Sequence, residues 1–90
     1  MWYDWDESKN HANHEKHGVD FKDVFEFQWD TVLEVPDERK DYGESRWIAL
    51  GLVGTRLHTL IYTKRHRAIR VISLRKSNVR EVTAYESQKS

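Results

Sequence analysis

Apolar positions are spread unevenly along this chain, with a polar first third holding isolated aromatics and a second half holding three dense apolar runs. The runs are Arg46 to Leu52, Leu57 to Thr63 and Ala68 to Leu74, each of strand length and rich in β-branched and aliphatic residues. Val53 to Arg56, which contains Gly54, and Lys64 to Arg67, which contains no glycine, are too short to join anything but antiparallel neighbours. Thr31 to Val35 is also β-rich and is stopped by Pro36, which predicts a fourth strand of the same meander. Further upstream, Trp2 to Trp5 alternates aromatic and polar residues weakly, enough for a short edge strand.

Helix signals fill the intervals. Asp6 can cap a helix from Glu7 to His17, and Gly18 closes it in the left-handed conformation, with Lys16 and His17 at the negative end of the helix dipole. Only Ala12 is apolar in that segment, so the helix must be held by its ends and by specific polar contacts. A second helix is predicted from about Phe21 to Phe27. Asp20 caps it, Val19 can staple to Val24, and Phe21, Val24, Phe25 and Gln28 define one face. Asp37 to Glu44 reads as a solvated loop. Asn78, with Glu81 three residues later, opens a C-terminal helix through about Glu86. The expected architecture is α+β: two short N-terminal helices, a four-stranded antiparallel meander, and a C-terminal helix lying on the sheet.

Composition narrows the class. Ninety residues suit one domain spanning 1–90 with one modest core, and four Trp, four Tyr and three Phe provide large anchors for it. There is no cysteine, so neither disulfides nor a thiolate metal site can hold the fold. No leader pattern opens the chain and no run approaches the roughly 18 apolar residues that span a bilayer, which gives a cytoplasmic expectation with no membrane partner. Formal charge is zero but divided: residues 1 to 45 carry thirteen acidic side chains against five basic, and residues 46 to 90 carry ten basic against two acidic. Either the second half offers a basic surface to a polyanion, or the two halves pack together and neutralise one another.

Several strings then stand out in order: Tyr3-Asp4-Trp5-Asp6, Asn13-His14-Glu15-Lys16-His17-Gly18-Val19-Asp20-Phe21, Gly43-Glu44-Ser45-Arg46, Tyr62-Thr63-Lys64-Arg65, Arg70-Val71-Ile72-Ser73-Leu74-Arg75, and Glu81 with Tyr85. In that order and spacing the chain resembles the BrnT toxin family from about Tyr3 to Glu86. The resemblance implies a compact RelE-like fold, RNA cleavage, and neutralisation by contact with a BrnA-like antitoxin. It also implies that promoter DNA is bound only through the toxin–antitoxin complex. The departures are Leu74 where the family usually has Ala, Glu7 where it usually has Pro, and a glycine missing from Lys64 to Arg67.

Metal-independent RNA cleavage by the neighbouring 2′-hydroxyl needs a proton acceptor, a donor to the leaving 5′-oxygen, and cations for the phosphorane. Arginine suits the last task, because its planar fork can hold two phosphate oxygens. Arg46, Arg70 and Arg75 are therefore catalytic candidates, with His17, Glu44, Glu81 and Tyr85 for proton transfer. Lys16, Lys64, Arg65, Lys76 and Arg80 are candidates for holding RNA. Competing structural roles are equally visible: a C-terminal cap for His17, a capping box for Glu81, packing for Tyr85, and a half-buried ion pair with Glu44 or Glu81 for Arg70. His11, His14 and His17 drift around the helix at three-residue steps, so neither a metal nor any other cofactor is expected. Exposed members of the set Trp2, Trp5, Trp29 and Trp47 could stack unpaired bases. The alternative function is a non-catalytic RNA- or protein-binding module with a basic sheet surface.

Overall fold

Apart from one bulge, side chains alternate across the sheet, and each of its faces is covered by different elements. The computed structural model describes residues 2–89. In chain order they form β1 (Trp2–Asp4), α1 (Glu7–His17), 3₁₀ helices at Phe21–Glu26 and Trp29–Thr31, β2 (Leu33–Pro36), β3 (Trp47–Val53), β4 (Arg56–Arg65), β5 (Ala68–Lys76) and α2 (Val79–Lys89). Strand order is β1-β5-β4-β3-β2, with β2 to β5 antiparallel and β1 parallel to β5.

The α+β class is as expected, but the sheet is five-stranded and mixed instead of four-stranded and antiparallel. The extra strand is the weakly alternating N-terminus. It is fixed by Tyr3, which packs edge-on against Phe25 and accepts a hydrogen bond from Trp29 Nε1 at 2.6 Å. The segment from Phe21 is also a 3₁₀ helix instead of an α-helix, ended after six residues as the Phe27 N–H bonds the Val24 carbonyl. Pro36 lies within β2, not beyond it, as an edge strand allows.

On the inner face, Phe21, Val24 and Phe27 pack with Ala49, Leu60, Tyr62, Ile69, Val71 and Leu74. Gly51 is required there, because a Cβ would lie 2.5 Å from the Phe27 ring. The glycine-free turn between β4 and β5 is made by His66, which takes φ 57°. Ile72 is an extra residue in β5, since Ile61 pairs with Ser73 and Tyr62 with Val71; the strand therefore bulges at its centre.

β1 covers only Ala68 to Arg70, leaving the rest of β5 with an open edge. α1 fills it with a side chain acting as backbone. Asn13 Nδ2 donates to the carbonyls of Leu74 at 2.7 Å and Val19 at 3.0 Å, and its Oδ1 accepts from the Leu74 N–H at 3.4 Å. Asn10 likewise accepts from the Phe21 N–H and donates to Asp20. These two buried asparagines supply the polar contacts that the nearly apolar-free helix demanded, and Asp6 and Gly18 cap its ends.

α2 lies against the outer face. Asn78 and Glu81 form the expected capping box, with both bonds at 2.9 Å. Tyr85 donates to the Thr31 carbonyl at 3.0 Å, and a cleft of about 480 Å³ lined by Leu52, Leu57, Val79, Val82 and Tyr85 remains beneath the helix.

Candidate functional site

The candidate side chains gather in two places on the sheet. The first is the end of β5, where Asn13 of α1 is bonded to Leu74 and after which α2 begins. Arg75 pairs across to Thr59, on the opposite face from the buried Leu60 and Leu74. Its guanidinium makes two hydrogen bonds to the Glu81 carboxylate, at 2.7 and 2.8 Å, and both side chains are about three-quarters buried or more. The Arg75 bonds, helped by the Asn78 N–H and opposed by burial, hold the Glu81 carboxyl down to about 2. Glu81 is thus both the cap and the clamp, an ionised anchor with little basicity to offer.

His17 sits at the end of α1 near this pair. Partial burial, and then the positive charges of Lys16 and Arg75, push its imidazole below the ordinary 6.5. It is therefore neutral at pH 7 and has a basic nitrogen available. A groove of about 240 Å³ beside it is lined by Lys9, Ala12, Asn13, Lys16, His17, Ile72 and Ser73.

The second cluster lies at the other end of the outer face, about 15 Å along β5 from Arg75. Arg70 pairs with Thr63 across the strands and forms an ion pair with Asp4 at 3.5 Å. The expected partner for Arg70, Glu44 or Glu81, is corrected to Asp4, which the parallel register of β1 sets directly beside it. Glu44 instead bridges Arg65 at 3.2 Å and Arg46 at 3.7 Å. Arg46 also stacks on the Tyr42 ring at 3.9 Å, and its buried Nε makes no hydrogen bond among the described residues. The guanidinium groups therefore share one face without converging on a single point.

The remaining candidates divide by position. Lys16 and Arg65 belong to the two clusters. Lys64 lies over the Trp47 ring on the inner side, Lys76 alternates to that same side, and Arg80 is exposed on α2. Tyr85, one turn beyond Glu81 on α2, donates its hydroxyl to the Thr31 carbonyl. His11 pairs with Glu15, and no group of three or more His, Asp or Glu is placed to hold a metal among the described residues. Of the tryptophans, Trp5 packs on Phe21 and Phe25, and Trp29 on Phe27 and Tyr62. Trp47 lies against the core, and Trp2 alone of the four is exposed. Sequence reading missed Asp4 as a partner and Asn13 as the residue that seats α1 beside Arg75. The unexplained polarity of α1 was the available signal for Asn13.

A family model described as a ribonuclease toxin, BrnT, of type II toxin–antitoxin systems matches residues 5–81. The chain belongs to the BrnT ribonuclease toxin family. A search of curated proteins found no match. The family match spans α1, all of β2 to β5, and the start of α2 as far as Glu81, so it includes both clusters except for Asp4. Membership carries ribonuclease activity, an RNA target and an antitoxin partner at the level of the family. No helix among the described residues is long and apolar enough to cross a membrane.

Proposed function

We propose that this BrnT-family chain cleaves RNA without a metal, by attack of a 2′-hydroxyl on the adjacent phosphodiester, at the end of β5 where Arg75 and Glu81 pair and His17 lies near them. The observation that carries this reading is an arginine held from behind by a carboxylate through two hydrogen bonds, near a histidine whose basicity is lowered by burial and by neighbouring positive charges. Arg75 faces the phosphate and stabilises its added charge, with Glu81 as a positioning residue that fixes the fork. His17 takes the 2′-hydroxyl proton, the P–O5′ bond breaks, and the leaving oxygen takes a proton from solvent, because Glu81 and Tyr85 are committed elsewhere. The products are a 2′,3′-cyclic phosphate and a 5′-hydroxyl. Arg46, Arg65 and Arg70 hold the flanking backbone, with Glu44 spacing the first two. A BrnA-like antitoxin neutralises the enzyme by contact in the cytoplasm, and promoter DNA is met only through that complex.

One observation favours the rival reading of a non-catalytic binding module: Arg46, Arg65, Arg70 and Arg75 each already have a carboxylate partner. Cleavage of a fluorophore-quencher RNA by the purified chain separates the two. A catalyst should lose at least about 100-fold in rate on Arg75→Ala or His17→Ala, and lose nearly as much on Arg75→Lys. Retained cleavage in all three variants, or no cleavage by the parent, would leave only the binder.

A further inference from the structure

Trp2 is 74% exposed, an unusual position for the largest apolar side chain in a small protein. Its face is set by its neighbours. Tyr3 enters the core on the inner side, so Trp2 and Asp4 project to the outer side, where Asp4 meets Arg70. In register, Trp2 pairs with Ala68 and Ala68 with Arg65. One row across the outer face thus reads indole, methyl, guanidinium. The outer two backbones are about 10 Å apart, two strand spacings, and the small Ala68 forms the floor between them. The next row holds Asp4, Arg70 and Thr63. Cations outnumber carboxylates here, three guanidinium groups to two, since Arg46 and Arg65 share the single carboxylate of Glu44 and Arg70 pairs with Asp4.

We propose that Trp2 is a stacking platform for one unpaired base of the RNA, seated over Ala68 with Arg65 on its far side and its backbone phosphates toward Arg70 and Arg46. An exposed aromatic ring beside arginines that outnumber their carboxylate partners is what a single strand requires: a π-face for a base and cations for the phosphates. A base-paired stem presents no free base face and gains nothing from the ring. The substrate class is therefore RNA with unpaired nucleotides about 20 Å, a few nucleotides, from the phosphate gripped by Arg75. This inference rests on the RNA reading above and adds to it a strand preference and a residue outside the matched segment.

The test is equilibrium binding of a fluorescein-labelled 2′-O-methyl single strand, which has no nucleophile to cleave, compared with a duplex of the same sequence. Trp2→Ala should weaken the single strand about 5- to 100-fold and leave duplex binding unchanged, while Trp2→Phe should retain most of the affinity. The ring is exposed, so its loss removes little packing, and an unchanged melting temperature checks that the variant is folded. Single-strand affinity within about twofold of the parent overturns the proposal, as does an equal loss for the duplex. So does a loss that appears only in antitoxin binding, which would give Trp2 to the protein partner. If Arg75→Ala still cleaves while Trp2→Ala loses the strand, the platform stands and the catalytic assignment falls.

Discussion

Single side chains at the end of β5 make two opposite pH statements. Glu81 is held at about 2 in the folded chain against an ordinary 4.5, so its pairing with Arg75 stabilises the fold fully above 4.5. That contribution, about 3 kcal/mol at neutral pH, disappears as the pH falls from 4.5 towards 2. Glu81→Gln should therefore lower the melting temperature at pH 7 and flatten its decline below pH 5, as seen by circular dichroism. A variant that melts like the parent at pH 7 would show that the paired geometry carries no energy. His17 is lowered as a base, so protonation favours the unfolded chain, and it subtracts stability only below about 6.5. In the proposed mechanism the same shift keeps the imidazole neutral at pH 7. The acid limb of kcat/KM should fall below pH 6.5 and should vanish in the residual activity of His17→Gln. A limb that survives the substitution belongs to another group.

Among the elements, α1 and β1 show what a pattern of residues can and cannot convey. Helix caps, the capping box at Asn78 and Glu81, and the three long strands obey local rules, and each was readable from a few neighbouring residues. The parallel pairing of β1 was not, because it depends on Tyr3 finding Trp29, twenty-six residues away. The 3₁₀ geometry after Asp20 was equally hidden, since its apolar spacing suits either helix. The candidate site was legible by residue type but not by grouping. The bulge at Ile72 and the partner of Arg70 belong to register, which no single segment specifies. Asn13 is the joint between these elements, and Asn13→Ala should cost about 1 to 3 kcal/mol by stripping the Leu74 edge of its partners. Faster amide exchange at Leu74 than at Leu60 would report the loss, and unchanged exchange at Leu74 would show that α1 is held by other means. On the inner face, Gly51→Ala should cost a similar about 1 to 3 kcal/mol by forcing the Phe27 ring off the sheet. A melting temperature equal to the parent's would mean that the ring has room to shift.

Across the whole molecule, the divided charge resolves into partial neutralisation with a direction. Asp4 and Glu44 of the acidic half pair with Arg70, Arg46 and Arg65 of the basic half, two carboxylates for three guanidinium groups. The surplus is shared between two faces, with Arg46, Arg65, Arg70 and Arg75 outward and Lys64 and Lys76 inward. A polyanion bound to the outer face should therefore feel one set and not the other. Four outer contacts give a slope of log affinity against log salt of about −2 to −3 for a single strand, from roughly −0.7 per phosphate neutralised. Arg65→Ala should make that slope shallower by about 0.7, and Lys76→Ala, of equal charge but on the other face, should leave it unchanged. The comparison is sharper than affinity alone, because net charge falls identically in both variants and only position differs. Equal shifts in the two slopes would mean that RNA senses total charge instead of a face, and the assignment of the outer surface would have to be abandoned.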